Sequence, residues 1–599
     1  MPPFFERKKM SEKKKYILSL LALAVFLSFL AVAIFFSSLK AAIPKNNSIE
    51  WPKNVIYFVL LDRFHDGNTL NNYKVDTKNP EAYQGGDIAG LIQKIPYLKE
   101  LGITAIWLSP VLDNRDLEFF GKYAYHGYWP KNPMSLELEE HFGTWQELTS
   151  LAKELKKNDI HLILDIIVNH VGYDSHLVKE KAHWFDQKRN LHGLPCFDHT
   201  NKEVRDLLIN ASLMWIRQLK PAGFRLDAVK HVSKSFWEEY NQKIRDEKSD
   251  FFLLAEVCDG NTNTCIEYSK LEFTSIIDYP LYHVALRVMS GKTAEELGDL
   301  FFQDRYYSHD ARFLGTFLDN HDVDRFLTAM KGDIERFKLG ISFLFSIRGI
   351  PILYYGTEVG MQGEGDPDNR KMMEFGKNRE IREYVKKCIQ TRLSSSALTS
   401  GIQVHLWQSP CIYAFARVFE DQIAFVVLNN GDASQQVQIP LEALDSFLVN
   451  AKYKDTTSLH EATIEGTKLA LDIPAKRCLI FLTPSVSGKY AKLFEKCVER
   501  TKNPKMVETI FEVTMPTHEA KEVYVIGGSP VLGQWNTQKA AGPMTLVKDN
   551  IYQMKFLLPQ GSIVKYKYIE KKVNWEGGSD RYIQIPWEKS LKIQDQWRE

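Results

Sequence analysis

Four short apolar runs in this sequence end in polar residues that can do chemistry. The carboxylates at these ends are Asp165, Asp227, Glu256, Asp319 and Asp322, and a histidine follows three of the four runs. Two carboxyl groups at one site can cleave an acetal, because one attacks the anomeric carbon while the other protonates the leaving oxygen. The runs do not supply the repeated histidine or cysteine ligands of a metal site. The residues therefore predict hydrolysis of a glycosidic bond.

The elements that must position these residues alternate between β-rich apolar runs and stretches of helical period. From residue 51 to residue 395 this alternation predicts an α/β fold, and eight strand candidates in order predict a closed (β/α)8 TIM barrel. The active site of such a barrel forms at the carboxyl ends of its strands, where the polar residues lie. An excursion after the third strand, about 170–201, is expected to form a small subdomain over the barrel mouth. The strand candidates are 55–61, 105–108, 161–168, 223–226, 251–255, 274–277, 313–318 and 350–355.

The sequence after residue 395 has a different texture. Residues 396–484 hold short strands between polar turns and predict an all-β domain, whereas residues 485–507 have the apolar spacing of a linker helix. Residues 508–599 predict a second β-rich unit. The expected order is thus a barrel followed by two β domains.

The first fifty residues combine a basic tip, an apolar run and a polar tether, at 1–15, 16–36 and 37–50. The apolar run carries no charge and, as a helix rising 1.5 Å per residue, is long enough to cross roughly 30 Å of hydrocarbon. Because flanking positive charge stays in the cytoplasm, the run predicts a transmembrane anchor with the rest of the chain outside the cytoplasm. The alternative is a cleaved signal, which would release the same chain as a secreted protein.

The composition argues against nucleic acid as a partner. The 76 lysines and arginines against 75 aspartates and glutamates leave a net charge of +1, which gives no long-range field and favours a neutral substrate. Aromatic residues make up 12% of the chain, which suits stacking on sugar rings as well as core packing. The seven cysteines are an odd number, and Cys258 and Cys265 are interpreted either as a short bridge or as separate thiols.

Four strings at the strand ends resemble the signature regions of the α-amylase family of glycoside hydrolases, family 13. They are 165–170, 223–231, 255–257 and 317–322, and 102–110 and 349–358 resemble two auxiliary regions. The resemblance covers residues 51–484. It implies a retaining mechanism with Asp227 as nucleophile, Glu256 as acid/base and Asp322 as the residue that holds sugar hydroxyls. Arg225 is expected to orient Asp227 and keep it ionised.

The resemblance also implies a set of sugar contacts around the three carboxylates. The residues expected at the cleavage subsite are His126, Tyr128, His170 and His321, those on the leaving-group side are Lys230 and His231, and those of a donor-side clamp are Asp366 and Arg370. Together they would hold the glucan on both sides of the bond that is cut.

Within the family, the sequence motifs most resemble those of bacterial cyclodextrin glucanotransferases and their relatives. The segment 62–87 resembles the calcium loop of these enzymes. The implied calcium site offers hard oxygen ligands. The alternative is an Asn- and Gly-rich turn without an ion. At the family's more general calcium site Asn169 and His231 match ligands, but Cys196 stands where an aspartate is expected, and a thiol is a poor calcium ligand. The residues implied for the loop site are Asp66, Asn68, Asn71, Asn72, Gly85 and Asp87.

Residues 508–599 resemble the family 20 starch-binding module. Trp535 and Trp575 are expected to form a flat platform for two glucose rings, with Lys567, Glu576 and Asp580 bonding the hydroxyls. Such a module would raise the local concentration of substrate by tethering.

The implied function is hydrolysis of α-1,4-glucans such as starch, glycogen or maltodextrins. A cyclodextrin or maltodextrin glucanotransferase is the alternative within the family, but His192 stands where cyclising enzymes place a large aromatic residue, which favours hydrolysis. A third alternative is a non-catalytic membrane partner with an amylase-like fold. Such proteins lack the full catalytic set, whereas Asp227, Glu256 and Asp322 are all present here.

Overall fold

The computed structural model describes residues 49–444, 451–516, 522–586 and 590–599. The basic tip 1–15, the predicted anchor 16–36 and all but the end of the tether 37–50 lie outside these ranges. Within the described ranges, no helix combines the length and the apolar character needed to cross a membrane. The residues from Trp51 to Glu599 pack as one unit.

Eight parallel strands form a barrel, which confirms the predicted fold. The strand order is β8-β7-β6-β3-β2-β1-β10-β9, and a parallel bridge between Ile277, which follows β8, and Gly315 on β9 closes the ring. The strands from the first to the tenth in chain order are β1 (Ile56–Val59), β2 (Ala105–Leu108), β3 (His161–Ile166), β4 (Phe185–Leu191), β5 (Leu194–Phe197), β6 (Gly223–Leu226), β7 (Phe252–Ala255), β8 (Ser275–Ile276), β9 (Gly315–Thr316) and β10 (Ile350–Tyr354); β4 and β5 form a separate hairpin.

The barrel strands are buried along almost their whole length because helices cover the outside of the sheet. Polar side chains fix where these helices begin. Thr144 and Glu147 form a reciprocal capping box, with Thr144 Oγ1 accepting from the Glu147 amide at 3.3 Å. The helices up to residue 400 are Ile88–Leu101, Trp145–Lys157, His176–Glu180, Lys202–Leu219, Lys234–Glu247, Thr262–Ser269, Tyr279–Met289, Glu295–Phe302, Phe326–Ala329, Ile334–Ser346, Gly365–Asp368, Arg379–Leu393 and Ser396–Ser400.

The excursion after β3 consists of the helix His176–Glu180 and the antiparallel hairpin β4–β5. An antiparallel bridge between His170 and Cys196 joins the hairpin to the end of β3. The excursion therefore borders the strand end that carries Asn169 and His170.

The all-β region holds two four-stranded sheets, ordered β11-β12-β13-β18 and β14-β17-β16-β15. The helix Ala491–Lys502 follows and buries Leu493 and Cys497 in the core of this region. The segment predicted as a linker thus belongs to the packing of the all-β region. The strands are β11 (Ile402–Gln408), β12 (Ile412–Val418), β13 (Ile423–Asn429), β14 (Gln435–Pro440), β15 (Ala451–Lys454), β16 (Glu461–Glu465), β17 (Lys468–Ile473) and β18 (Arg477–Leu482).

The C-terminal unit is built from two further sheets, one ordered β21-β22-β19-β26 and one in which β23 pairs with β20, β24 and β25. It packs directly on the barrel, where β23 contacts the helix Glu295–Phe302. Gln534 Nε2 also donates to Asn263 Oδ1 at 2.9 Å, and Asn263 lies in the helix that follows β7. The strands are β19 (Met506–Thr514), β20 (Val523–Gly527), β21 (Thr545–Lys548), β22 (Ile551–Pro559), β23 (Ile563–Glu570), β24 (Asn574–Trp575), β25 (Arg581–Gln584) and β26 (Ser590–Gln596).

Candidate active site

The buried guanidinium of Arg225, on β6, holds three carboxylates at the mouth of the barrel. Its Nη1 donates to Asp227 Oδ1 at 2.7 Å and to both oxygens of Asp165 at 2.9 and 3.0 Å, and its Nη2 lies 2.7 Å from Glu256 Oε1. Asp227 and Glu256 therefore contact neighbouring nitrogens of one group and lie close together. A short separation of about 5 Å is the geometry of retaining glycosidases.

Glu256, directly after β7, has a buried carboxyl group with a raised pKa. Burial raises its pKa to about 8; Arg225 opposes that shift, and the charges of Asp227 and Asp322 add to it. Its Oε2 accepts from the backbone amide of Ala228 at 2.8 Å. Ala228 has a left-handed φ of +51°, a conformation that is strained for a residue with a Cβ and that brings this amide to the carboxyl group.

Asp322 lies opposite this pair, after β9, and is part of a second charged cluster. Arg370 Nη2 lies 3.4 Å from Asp322 Oδ1, and Arg370 Nη1 lies 3.1 Å from Asp366 Oδ1. Asp366 also accepts from Tyr125 Oη at 2.9 Å and from Lys122 Nζ at 3.2 Å. Burial raises the pKa of Asp322, against the opposing charges of Arg370 and Arg225. Arg370 thus joins Asp322 to the pair Asp366 and Lys122 at one wall of the cleft.

Tyr128 and two histidines form an aromatic wall of the site. Tyr128 donates its hydroxyl to Asp165 Oδ2 at 2.7 Å, and its ring stacks on His321 with centroids 5.1 Å apart. His126 Nδ1 accepts from the Tyr128 amide at 3.0 Å, so its Nε2 carries the proton that a sugar hydroxyl can accept. Burial lowers the pKa of His126 and of His321 well below the usual value, which keeps both rings neutral.

His170 lines the cleft, but protein groups occupy both of its ring nitrogens. Nε2 lies 3.0 Å from the carbonyl oxygen of Tyr128, and Nδ1 lies 3.3 Å from Asn169 Nδ2. The ring therefore holds the backbone of Tyr128 and is left with its edge toward the cleft.

Lys230 and His231 are exposed at the opposite rim, in the turn after β6. Lys230 Nζ donates to the carbonyl oxygen of Cys258 at 2.8 Å and lies 3.2 Å from Asp259 Oδ2. The contact ties the turn after Asp227 to the loop after Glu256.

These residues surround one cleft of about 620 Å³. Every predicted catalytic and sugar-contacting residue lines it except Arg225, which lies beneath its floor. The cleft also contains residues that the sequence reasoning missed. Two of them, Lys122 and Cys258, could have been found from their closeness in the sequence to His126 and Glu256. The missed lining residues are Glu81, Lys122, Tyr123, Trp129, Tyr173, Leu191, Leu194, Ala228 and Cys258.

The predicted calcium loop precedes the helix Ile88–Leu101 and presents unused oxygens. Asp66 Oδ1, Asn71 Oδ1 and Asn72 Oδ1 are buried and accept no hydrogen bond. At Gly85, whose φ is +92°, a Cβ would stand 3.0 Å from Asn72 Oδ1. Orphaned buried oxygens grouped around a glycine fit a hard cation.

Asp87 and Asn68 take structural roles in the same loop. Asp87 caps the helix, since its carboxylate accepts from the amides of Gly90, Asn68 and Gly67 at 2.6, 2.9 and 3.0 Å. Asn68 Oδ1 accepts from the Leu70 amide at 3.2 Å. The side chains of these two residues are therefore occupied in shaping the loop.

The second calcium site predicted at Asn169 is not formed. Arg189 Nη1 donates to Asn169 Oδ1 at 3.4 Å and to the carbonyl oxygen of His231, so a guanidinium already contacts both residues that match calcium ligands. In the described part of the chain, no group of three His, Cys, Asp or Glu side chains is arranged to hold a metal.

The two predicted platform residues of the C-terminal unit face the same way. The rings of Trp535 and Trp575 are nearly parallel, 26° apart, with centroids separated by 6.4 Å, and Trp575 is 42% exposed. Lys567 Nζ donates to the carbonyl oxygen of Gly578 at 2.7 Å, and Asp580 pairs with Lys565 at 2.8 Å. All four side chains remain near the surface.

Glu576 does not take the role that was predicted for it. The residue is 2% exposed, and its carboxylate accepts from Arg581, Arg598 and the Tyr568 amide. No oxygen of this buried ion pair is left for a sugar hydroxyl, so Glu576 holds the C-terminal strand to the module.

The sequence matches two protein-family models. The model described as the catalytic domain of alpha amylase matches residues 58–191 and 179–397, and the model of a starch binding domain matches residues 506–594. The first match spans more than half of the chain.

Several known proteins are similar over these parts. A cyclomaltodextrin glucanotransferase of Klebsiella oxytoca is 26% identical over 635 residues, which cover 90% of this chain and 93% of that protein. A beta/alpha-amylase of Paenibacillus polymyxa is 30% identical over 428 residues, which cover 65% of this chain and 35% of that longer protein. The crystal structure of an Anoxybacillus alpha-amylase is 35% identical, with a TM-score of 0.67 over 73% of this chain and 99% of that one.

Proposed function

Because the chain belongs to the α-amylase family of glycoside hydrolases, we propose that it is a retaining α-1,4-glucan hydrolase acting on starch, glycogen or maltodextrins. The observation that carries the proposal is the shared guanidinium of Arg225, which holds Asp227 and Glu256 side by side at the same cleft. The two carboxyl groups thus share one cation, and burial favours the protonated form of Glu256 that the first step requires.

In the first step Glu256 transfers its proton to the glycosidic oxygen while Asp227 attacks the anomeric carbon. The bond to the leaving glucan breaks, and a covalent ester forms between Asp227 and the retained sugar. In the second step Glu256, now ionised, takes a proton from water as the water attacks the same carbon and releases Asp227. Two inversions at one carbon give overall retention.

The surrounding residues stabilise the charge that develops on the sugar ring. Asp322 lines the cleft and can accept hydrogen bonds from sugar hydroxyls, and the charge of Arg370 opposes the rise in its pKa that burial causes. Neutral His126 supplies a donor without adding positive charge beside an oxocarbenium-like centre. The ring of Tyr128 offers a flat face for the sugar.

Hydrolysis is proposed over glucan transfer because of the centre of the cleft. His192 lines the cleft there with an imidazole, on a residue with φ of +51°, and Tyr173 Oη donates to its carbonyl oxygen at 2.7 Å. A large aromatic side chain that would wrap a glucan into a ring is replaced by a smaller polar one. The similarity to a cyclomaltodextrin glucanotransferase over 90% of the chain supports transfer as the second candidate.

Product analysis separates the two candidates. Soluble starch would be digested and the products resolved by mass spectrometry, with Glu256→Gln as the inactive control. Linear maltooligosaccharides are expected from the hydrolase, and dominant cyclic products would overturn that assignment. Absence of both linear and cyclic products from wild type would instead identify a non-catalytic homologue.

Calcium is proposed for the loop that contains Asp66, Asn71 and Asn72, whose free oxygens together with the backbone at Gly85 would hold it. Bound there, a calcium ion supplies positive charge that cross-links the loop ahead of the helix Ile88–Leu101. The loop takes no part in proton transfer, which Glu256 carries out in the cleft.

The C-terminal unit is proposed to bind starch on Trp535 and Trp575. The loop that carries Trp535 contacts the helix after β7 through Gln534 and Asn263, so a bound glucan would be held beside the loop that follows Glu256.

The segment 16–36 is proposed to anchor the protein with the barrel outside the cytoplasm. Cell fractionation after protease treatment of intact cells tests the anchor. Protease-sensitive, membrane-bound protein is expected, whereas release into the medium would indicate a cleaved signal.

A further inference from the structure

The guanidinium of Arg189, on β4, lies between the excursion and two strand ends of the barrel. Its Nη1 donates to Asn169 Oδ1 at 3.4 Å and to the carbonyl oxygen of His231, and its Nη2 donates to the carbonyl oxygen of Phe197 at 2.8 Å. Asn169 follows β3, Phe197 ends β5 and His231 follows β6. A single side chain thus joins three segments that are distant in the sequence.

The groups around the Arg189 guanidinium are suited to a single positive charge. His199 Nε2 lies 2.9 Å from the carbonyl oxygen of Val168 and donates to it, which leaves Nδ1 as an acceptor 3.4 Å from Arg189 Nη2. Burial lowers the pKa of His199 to about 4, so the ring is neutral and does not repel Arg189.

The same surroundings do not suit a calcium ion. The position expected to hold an aspartate is Cys196, whose thiol is buried, and Asn169 turns its amide donor toward the sulfur at 3.5 Å. The carboxylate near Arg189 is Asp186, 3.5 Å from Nε. A divalent ion at Asn169 would face the positive charge of Arg189 and a thiol, both unfavourable for a hard cation.

We propose that Arg189 replaces a metal ion as the cross-link between the excursion and the barrel, and that it positions His231 on the leaving-group side of the cleft. A planar guanidinium can serve several oxygens at once because it carries five N–H donors in a fixed geometry. The cross-link is therefore permanent and independent of calcium supply. The kinetic part of the proposal rests on the proposed glucan hydrolase, whereas the metal part does not.

The first test compares Arg189→Ala with wild type in thermal unfolding and in steady-state kinetics on maltoheptaose. A lower Tm that added calcium does not restore is expected, with KM raised roughly threefold to tenfold and kcat changed less, since hydrogen bonds from a charged group are lost. Unchanged Tm and KM would overturn the proposal. If the variant does not fold, Arg189→Lys is used, which keeps the charge but not the fork and is expected to raise KM as well.

Arg205→Ala is the matched control. Arg205 also cross-links two segments, bonding Glu239 at 2.8 Å through Nε and the carbonyl oxygen of Ser235 at 3.0 Å, but it contacts neither Asn169 nor His231. It is expected to lower Tm without changing KM. A rise in KM equal to that of Arg189→Ala would mean that loss of stability alone explains the kinetics.

The second test counts calcium ions bound per chain after chelation and titration with calcium chloride. Wild type and Asn169→Ala are expected to bind the same number, and a loss of one ion in Asn169→Ala would overturn the metal part. The double variant R189A/C196D removes the guanidinium and adds a carboxylate. It is expected to bind one ion more than wild type and to gain Tm with calcium, and no gain would count against the replacement.

Discussion

Arg225 Nη2 and Glu256 Oε1 lie 2.7 Å apart, and burial nevertheless raises the pKa of the Glu256 carboxyl group to about 8. Burial and the neighbouring charges of Asp227 and Asp322 outweigh the attraction of the guanidinium. The contact therefore orients Glu256 without ionising it. This balance decides how the activity should depend on pH.

The alkaline limb of the pH profile of kcat/KM is expected near pH 8. Glu256 must be protonated to act as the acid, and it loses its proton as the pH rises through its raised pKa. The profile would be measured from pH 4 to 10 on a maltooligosaccharide. A limb with its midpoint near 5 would show that Glu256 is not held protonated in the free enzyme.

Arg225→Lys is expected to lower kcat by roughly two to three orders of magnitude, because one ammonium cannot hold Asp165, Asp227 and Glu256 together. The lysine keeps the positive charge but cannot contact Glu256 as closely as the guanidinium does, so it should lower the pKa of Glu256 less and move the residual alkaline limb to higher pH. Arg348→Lys is the control, since Arg348 is a buried arginine that pairs with Asp278 and Asp304 away from the cleft. It should affect Tm but leave the limb in place.

Glu256→Gln is expected to stabilise the protein at alkaline pH while abolishing activity. The folded-state pKa of Glu256 lies above its unfolded value, so ionisation costs stability as the pH rises from 4.5 toward 8. At pH 9 the variant should gain about 2 kcal/mol or more, and the gain should fall to nearly zero at pH 4. Equal Tm values for variant and wild type at both pH values would contradict the raised pKa.

Chelation of calcium is expected to lower the Tm of wild type, since the unpaired oxygens of Asp66, Asn71 and Asn72 would lose their cation. Asp66→Asn should show a low Tm with or without chelator. Asp76→Asn, a nearby exposed aspartate, serves as the control and should respond as wild type does. Insensitivity of wild type to chelator would favour a turn without an ion.

Trp575→Ala is expected to reduce adsorption to granular starch by roughly tenfold, because stacking of an exposed ring on sugar is lost. Activity on maltotriose to maltoheptaose should be unchanged, since the platform lies outside the cleft. Val573→Ala removes a neighbouring apolar side chain that is 68% exposed and should not alter adsorption. Unchanged adsorption of Trp575→Ala would remove this platform as the starch site.

The barrel could be predicted from sequence because its strands are continuous apolar runs, even where β8 and β9 are reduced to two residues each. Once the barrel is known, its strand ends converge, so several carboxylates are expected at one mouth; the choice of Asp227, Glu256 and Asp322 among them came from the resemblance to the α-amylase family. What could not be predicted is burial of a particular polar group. Glu576 stands next to an exposed tryptophan in the sequence, yet its side chain turns inward to Arg581.

Long-range partners were the other limit. Arg189 lies 42 residues before His231, in a hairpin whose alternating pattern shows only that the residue is part of a strand. The inward face of the helix Ala491–Lys502 was likewise visible as apolar spacing, but not the core it enters. Pattern identifies elements, whereas their contacts depend on the whole fold.

The burial of Leu493 and Cys497 in the all-β core leaves only residues 503–505 between that helix and β19. Three extended residues reach about 10 Å. So short a connecting segment restricts the movement of the C-terminal unit, and the contact of that unit with the barrel restricts it further. If the C-terminal unit binds a starch granule, its fixed position on the barrel would then also set the orientation in which the catalytic cleft faces the granule.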